Sequence, residues 1–304
     1  MKMDNIFITI GIPVKNEEEN IEALLKNIFL QDYNLKYVEI IFVDDGCTDK
    51  TVPEINRILS IGIIDYKILT YNEKGLGIAR QMIINSAKGK YILWIDADIK
   101  FNNNFISEQV KYMEENPSVG IGKGKLIFIK QKNLLSILEN LNEYALGITS
   151  RKYQKSNYLF GICGSICRTE ALRSVGGFDT KIKGAGEDID LTLKLSRKWN
   201  FGKNVSVYYH PPTSTWHDLW RRYYWYGYGN HYVNNVHKGS ILLLNYVPFL
   251  SIVIGIRDII LINQLNGNIF SLFLPILYFF KNSAWMMGYL RSHFEGYGHM
   301  TLNK

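Results

Sequence analysis

The stretch Tyr91-Ile92-Leu93-Trp94-Ile95-Asp96-Ala97-Asp98 decides how the rest of this chain is read. An apolar run ends abruptly in two aspartates separated by one small residue. A run of this length, bounded by polar residues, predicts a strand buried on both faces of a parallel sheet. Both carboxylates then stand at the C-terminal end of the strand, the edge at which open α/β sheets bind ligands. Carboxylates that close together repel unless a cation lies between them. A hard divalent ion, held by one or two carboxylates and by substrate phosphates, meets that demand. A strand running into a solvated turn accounts for the same residues, because Asp is a common turn residue.

Upstream, the pattern of strand, acidic end and helix recurs. Ile6 to Ile12 reads as a first strand, broken at Pro13. Asn16 then precedes Glu17-Glu18-Glu19 and the apolar positions Ile21, Leu24, Leu25 and Ile28 at helical spacing. Asn16 is the expected N-cap, with acids in the first turn. Val38 to Val43 is a second strand, ending in Asp44-Asp45-Gly46-Cys47-Thr48-Asp49. Adjacent acids there accept hydrogen bonds from a base N–H or from ribose hydroxyls, or they cap the helix expected over 50–58. Ile63 to Tyr71 is a third strand, followed by Asn72-Glu73-Lys74-Gly75-Leu76-Gly77 and a helix to Ala87. Gly75 and Gly77 permit close backbone approach, and the helix N-terminus favours an anion. Arg80, one turn in, is placed for a phosphate or for a surface salt bridge. The glycines form neither a Walker loop nor a G-x-G-x-x-G fingerprint, which argues against an ATPase or a dinucleotide enzyme.

Downstream, Phe105 to Met113 reads as a helix, Ile121 to Ile129 as a strand, and 133–150 as an amphipathic helix. Phe160 to Arg168 is a strand interrupted by glycine. Gly184-Ala185-Gly186 leads into Glu187-Asp188-Ile189-Asp190, which opens a helix expected to reach Trp199. Acids at a helix start complement its dipole. A carboxylate fixed there is also well placed to be a general base. Val205 to Tyr209 is a short strand ending in His210, either a structural histidine or a metal ligand beside the carboxylates. The segment Trp216 to Gly227 is helical, aromatic and basic. Trp220 with Arg221 and Arg222 suits a stacked sugar and a diphosphate, or an amphipathic packing face whose arginines reach out to water.

The chain has 304 residues, 47% of them hydrophobic and 21% charged, enough for one large or two modest domains. A formal net charge of +7 fits anionic partners such as nucleotides or lipid phosphates. No Lys/Arg-rich block points to nucleic acid, and none is expected as a partner. Three cysteines, Cys47, Cys163 and Cys167, are too few for a disulfide framework and lack the second pair of a zinc site, so small buried residues in a reducing compartment are expected. The N-terminal residues lead directly into a strand with no signal-peptide core, so a secreted enzyme is not expected. The C-terminal part, 239–304, is apolar but broken by Arg257-Asp258 and by Lys281-Asn282. Neither segment reads cleanly as a span of about 20 apolar residues. Helices lying in a membrane interface fit better, with Arg221, Arg222, Lys238, Lys281 and Arg291 facing lipid phosphates. A hairpin turning at 263–268, or a subunit interface, accounts for the same residues.

Taken together, Ile12-Pro13-Val14-Lys15-Asn16-Glu17-Glu18, Val43 to Asp49, Lys74-Gly75 through Arg80, Asp96-Ala97-Asp98, Gly176-Gly177-Phe178-Asp179 and Gly186 to Leu191 resemble the family 2 glycosyltransferases of the GT-A fold. The resemblance covers roughly residues 6 to 230. It implies an α/β, Rossmann-like, mostly parallel sheet flanked by helices. It implies a catalytic domain over 1–238 and an apolar, membrane-associating helical region over 239–304. Pro13, Asn16, Glu17, Asp44, Asp45, Lys74, Arg80, Asp96 and Ala97 are thereby expected around a UDP- or GDP-sugar. Asp98 and His210 are expected to hold Mg²⁺ or Mn²⁺, and Asp188 to be the catalytic base. Glu187, Trp220, Arg221 and Arg222 are expected on the acceptor or diphosphate side. Lys15 stands where an aromatic is frequent in the family, and Cys47 where serine is usual. Trp216 to Arg222 only loosely matches the Gln-x-x-Arg-Trp element of processive synthases.

The expected activity is inverting transfer of a sugar to a hydroxyl or phosphate acceptor, held on a polyprenyl phosphate or another membrane glycoconjugate at the cytoplasmic face. A nucleotidyltransferase also uses metal-binding acids on an α/β sheet. It places a Gly-rich, basic loop after its first strand, where this chain has Ile12 to Glu17. An inactive sugar- or nucleotide-binding module is the non-enzymatic alternative, and the acids at 96, 98 and 188 argue against it.

Overall fold

The structure, a computed structural model, describes residues 6–71, 75–129, 133–152, 161–213, 215–265 and 267–299. These group into two compact units. The first falls within 1–127, 156–183 and 187–210; the second within 128–155, 184–186 and 211–304. The division expected at 238/239 therefore lies inside the second unit, because residues 211–238 pack with the C-terminal helices.

The first unit is built on one sheet. Its elements in chain order are β1 (Ile8–Val14), α1 (Glu18–Phe29), β2 (Val38–Asp44), α2 (Thr51–Leu59), β3 (Asp65–Thr70), α3 (Leu76–Ser86) and β4 (Tyr91–Trp94). A two-residue strand β5 (Lys100–Phe101), α4 (Phe105–Glu115) and β6 (Val119–Phe128) follow. The second unit's α5 (Leu134–Lys152) intervenes. Then come β7 (Ser165–Arg168), α6 (Thr169–Ser174), α7 (Glu187–Leu195) and β8 (Asn200–His210).

The strand order is β3-β2-β1-β4-β7-β6-β8-β5. The first four run parallel, with Ile8 of β1 beside Val38 of β2 and Tyr91 of β4. β7 is antiparallel to both β4 and β6, and β5 is antiparallel to β8. The parallel sheet expected from the sequence is thus one half of a mixed sheet.

Alternation along the strands divides the core in two. Ile8, Ile10, Ile12, Ile40, Phe42, Tyr91 and Leu93 face one side, against α1, α2 and α4. Ile41, Val43, Ile92 and Trp94 face the other, against α3, α6 and α7. Both faces are covered, which is why these runs read as continuously apolar.

Asn16 does not cap α1. It adopts a left-handed φ of 55°, and its side chain accepts from the Thr48 amide at 2.8 Å. The first free amides of that turn are satisfied from the next loop instead. Glu17 N–H donates to Thr51 Oγ1 at 2.7 Å and Glu18 N–H to Asp49 Oδ2 at 3.1 Å. In return Lys50 N–H donates to Glu18 Oε2 at 2.9 Å. The β1–α1 and β2–α2 connections therefore tie each other down at the C-terminal edge of the sheet.

The second unit packs α5 with α8 (Trp216–Val236), α9 (Pro248–Leu265) and α10 (Leu274–Phe294). A 3₁₀ turn, Ile269–Phe273, leads straight into α10; the hairpin turn expected at 263–268 falls partly on residue 266, outside the described residues. The run Ile269–Phe294 is 26 residues, long and apolar enough by length and composition to cross a membrane. Lys281 does not break it or face lipid phosphates. It is buried, with Nζ 3.2 Å from Glu139 Oε1 of α5 and over the Tyr223 ring. The charge that divides the sequence is neutralised inside the unit. By contrast Phe249, Leu250, Val253, Ile256 and Ile260 of α9 are exposed, as are Ile269 and Ile276. Within α8, Trp220 packs edge-on against Phe280 at 5.1 Å, and Arg221 is exposed.

Candidate active site

The C-terminal edge of the parallel strands gathers the acids that the sequence singles out. At the end of β2 the two adjacent aspartates divide their work. Asp44 Oδ1 accepts from the amides of Gly46 and Cys47, at 3.0 and 2.7 Å, and shapes the turn. Asp45 Oδ1 accepts from the Tyr71 hydroxyl at 2.6 Å, and Lys15 Nζ lies 3.5 Å from Oδ2. Burial, then the Asp45 carboxylate, pushes the Tyr71 hydroxyl well above its ordinary value, so it remains a donor. Pro13 pairs with Val43 in the β1–β2 ladder, half-buried at the same edge. Lys74 lies outside the described residues.

After β4, Asp96 and Asp98 are half-buried while Ala97 between them is buried. His210, at the end of β8, lies with Nε2 3.4 Å from Asp98 Oδ2. Glu17 joins them from the β1–α1 connection. Its carboxyl is held above its ordinary value by burial first, and then by the charges of Asp98, Asp96 and Asp49. Asp98 and Asp96 raise the cost of ionising Glu17, and the His210 imidazole lies beside Asp98; oxygen and imidazole donors of this kind are ones that could hold Mn²⁺ or Mg²⁺.

Arg80 turns inward. The sequence reading aims it at a diphosphate or at solvent. In the structure it is buried, with Nη1 donating to Glu187 Oε1 at 2.6 Å and Nη2 3.7 Å from Asp96 Oδ1. Its guanidinium lies 5.9 Å from the centre of the Phe178 ring. Phe178 is held through its amide by Gln81 Oε1 at 2.7 Å and stacks edge-on against Trp94. The Gly176-Gly177-Phe178 turn therefore sets the arginine, and the arginine joins the β4 end to the start of α7.

At that helix start Glu187 and Asp188 diverge. Glu187 is buried and spends Oε1 on Arg80; Oε2 has no hydrogen-bond partner among the described residues. Burial, then the adjacent Asp188 charge, pushes the Glu187 carboxyl up to about 7, against the opposing pull of Arg80. Asp188 is half-buried and also raised, chiefly by burial. Its Oδ1 accepts from the Ile189 amide at 2.8 Å. Its Oδ2 faces Gly161, where an added Cβ would stand 3.6 Å away.

Lys123, on which the charges of Asp96 and Asp188 act, is not singled out in the sequence. It sits in β6 between Gly122 and Gly124, and Nζ donates to the carbonyl of Gly161 at 2.6 Å and to that of Cys163. Burial lowers its ammonium, while Cys163, Asp96 and Asp188 act to hold its charge. Cys163 is a free thiol pushed well up by burial and by Asp96. Trp220, Arg221 and Arg222 belong to the second unit.

A parallel half-sheet with acids on its C-terminal edge, closed by a mixed half, is the architecture of GT-A enzymes. A mannosyltransferase of Pyrobaculum calidifontis, solved in complex with GDP-Man and Mn²⁺, matches the fold with a TM-score of 0.67 over 96% of this chain and 88% of its own, at 17% identity. Staphylococcus aureus TarS, residues 1–349 in complex with UDP, matches with a TM-score of 0.51 over 96% and 91%, also at 17% identity.

The sequence places the chain more narrowly. The profile of glycosyl transferase family 2 matches residues 9–175, more than half of the chain, and the chain belongs to that family. It is similar to the Escherichia coli UDP-Glc:alpha-D-GlcNAc-diphosphoundecaprenol beta-1,3-glucosyltransferase WfaP, 36% identical over 35% of this chain and 41% of that protein. It is also similar to a Staphylococcus epidermidis poly-beta-1,6-N-acetyl-D-glucosamine synthase, 25% identical over 59% and 43%. The chain spans well under two thirds of the length of the curated relatives it matches, between 17% and 45%.

Proposed function

We propose that this chain is a metal-dependent, inverting glycosyltransferase that uses a UDP- or GDP-sugar. One observation carries the reading. Glu17, Asp96 and Asp98 crowd at the sheet edge with His210 3.4 Å from Asp98, and Arg80 links that cluster to the helix bearing Asp188.

In this reading Pro13, Asn16, Asp44 and Asp45 line the nucleoside side, and Asp96 meets the ribose. Asp98 and His210 hold Mg²⁺ or Mn²⁺, which when bound supplies Lewis-acid charge for the leaving diphosphate. Asp188 is the base, because Glu187 is committed to Arg80 while Asp188 Oδ2 faces the side-chain-free Gly161. Asp188 takes the acceptor hydroxyl proton. The oxygen bonds to the anomeric carbon as the bond from that carbon to the diphosphate oxygen breaks, from opposite faces of the sugar. Arg80 acts as a positioning residue for Asp96 and Glu187 rather than as a phosphate ligand.

The acceptor in this reading is lipid-linked, met at the cytoplasmic face of a membrane. Support comes from the exposed apolar side of α9 and the adjoining turn, and from the undecaprenol-linked substrate in the name of the similar WfaP. Trp220, Arg221 and Arg222 are assigned to the acceptor side on the same basis.

The test is thermal. UDP or GDP should raise the melting temperature when Mn²⁺ or Mg²⁺ is present and not without it, and Asp98→Asn should remove the effect. A nucleotide shift of equal size without metal would sink the reading. A panel of nucleotide-sugars, scored for metal-dependent hydrolysis, then names the donor.

A further inference from the structure

Three histidines meet in the second unit, none of them among the residues assigned above. His231 comes from α8, His293 from α10, and His299 from the turn that follows. One ring nitrogen from each lies within 4.8 Å of the others. His293 Nδ1 is 3.4 Å from His231 Nε2 and 3.3 Å from His299 Nε2. Zinc–imidazole bonds of about 2.0–2.1 Å in a tetrahedral site set ligand nitrogens about 3.3–3.4 Å apart. Two of the three edges already have that length.

The surroundings are built for ligation as well. His231 is buried, and its Nδ1 lies 3.0 Å from Ser292 Oγ. The Asn235 amide nitrogen, which donates to the His231 carbonyl at 2.9 Å, also lies 3.1 Å from Nε2. A donor at Nε2 makes that atom the lone-pair nitrogen and puts the proton on Nδ1, toward serine. Orienting a ligand imidazole through the N–H of its other nitrogen is how protein metal sites fix the tautomer.

The third histidine is delivered by a dedicated turn. Gly296 takes a left-handed φ of 71°, and His299 N–H donates to its carbonyl at 3.0 Å. Tyr297 stacks on Tyr228 and Tyr232 of α8. Gly298 lies so close to the His231 ring that an added Cβ would come within 2.6 Å of it. Only a residue without a side chain lets the turn seat His299 there.

We propose that His231, His293 and His299 form a site for a borderline divalent transition-metal ion of the zinc class, with the fourth position left to water. An all-imidazole set selects Zn²⁺, Cu²⁺ or Ni²⁺ over Mg²⁺ and Ca²⁺. This separates it from the carboxylate-rich edge of the sheet. The ion displaces the Asn235 contact at Nε2 and pins the turn after α10 to α8.

The experiment uses the full chain without a polyhistidine tag, stripped with a chelator and titrated with Co²⁺. One equivalent should give the visible ligand-field absorption of tetrahedral cobalt, bleached by one equivalent of Zn²⁺. His293→Gln and His299→Gln should each weaken Co²⁺ binding roughly tenfold or more, and the double variant should abolish the absorption. Both residues are exposed, so circular dichroism should be unchanged, and this pair rather than the buried His231 carries the test. Asp98→Asn should keep the absorption. The proposal is overturned if the stripped protein gives no tetrahedral spectrum. It is equally overturned if the double variant keeps that spectrum, or if Asp98→Asn alone removes it.

Discussion

Arg80 Nη1 and Glu187 Oε1 lie 2.6 Å apart, closing an ion pair across 107 residues of chain with both side chains buried. Glu187 opens α7 as the sequence leads one to expect, whereas Arg80 is buried rather than at the surface. The pair links the strand end that carries Asp96 to the helix that carries Asp188.

Breaking this pair from one side leaves a buried charge without its partner. Arg80→Leu should cost about 3–5 kcal/mol, and Arg80→Leu with Glu187→Leu should recover most of that. Urea unfolding of the three proteins checks it. A double variant as unstable as the single one would mean that the charges contribute more than their desolvation costs.

The two adjacent carboxylates should give transfer an acid limb above the ordinary aspartate range. Burial raises Asp188, and the base works only when deprotonated, so kcat/KM should fall as pH drops through that raised pKa. Glu187→Gln removes a neighbouring negative charge and frees Arg80, and both changes should move the limb to lower pH. Stability runs the other way. A carboxyl raised from 4.5 to about 7 gives a contribution that is full below 4.5 and lost as pH rises toward 7. A pH–rate profile, alongside melting temperatures across that window, tests both signs.

His210→Gln should weaken Mn²⁺-dependent donor binding by roughly tenfold while the stability of the unliganded protein is unchanged. Calorimetry at several Mn²⁺ concentrations separates the two. An unchanged Mn²⁺ requirement would remove His210 from the ligand set.

Thr51→Val and Asp49→Ala should each cost about 1 kcal/mol although neither residue lies in α1, because each side chain accepts from an amide that opens that helix. Chemical denaturation measures it. An Asn16→Ala variant removes another bond of the same network, the one to Thr48, so its cost should couple to that of Thr51→Val rather than simply add.

In the proposed membrane-bound reading, replacing Val253 and Ile256 on the exposed side of α9 by serine should release the protein from anionic liposomes. Each buried aliphatic side chain contributes about 1.5–3 kcal/mol to such binding, roughly tenfold or more in partitioning. Flotation assays read this directly. Circular dichroism should not change, because neither side chain is part of the buried core.

The strands and their acidic ends are legible because burial on both faces forces unbroken apolar runs, and because those runs stop where the chain meets water. Asp96 and Asp98 are legible for that reason, whereas His210 ends β8, a strand largely exposed or half-buried, and falls outside that rule. The N-cap of α1 is not legible, because the capping rule looks to neighbouring residues while the actual acceptors, Asp49 and Thr51, come from the next loop. Lys123 is hidden for another reason. Its partners are the carbonyls of Gly161 and Cys163, and backbone acceptors leave no mark in residue types. Lys281 misleads in the opposite sense, since its charge divides an apolar run that a distant glutamate makes continuous.

The reciprocal bonds between the loops after β1 and β2 have a kinetic consequence. Neither connection can open while the other stays shut, since each holds amides belonging to the other. The amides of residues 17, 18, 48 and 50 should therefore exchange with deuterium as one cooperative unit, sharing a single opening free energy. That edge of the sheet, proposed above to line the nucleotide, would then be rigid before any ligand arrives.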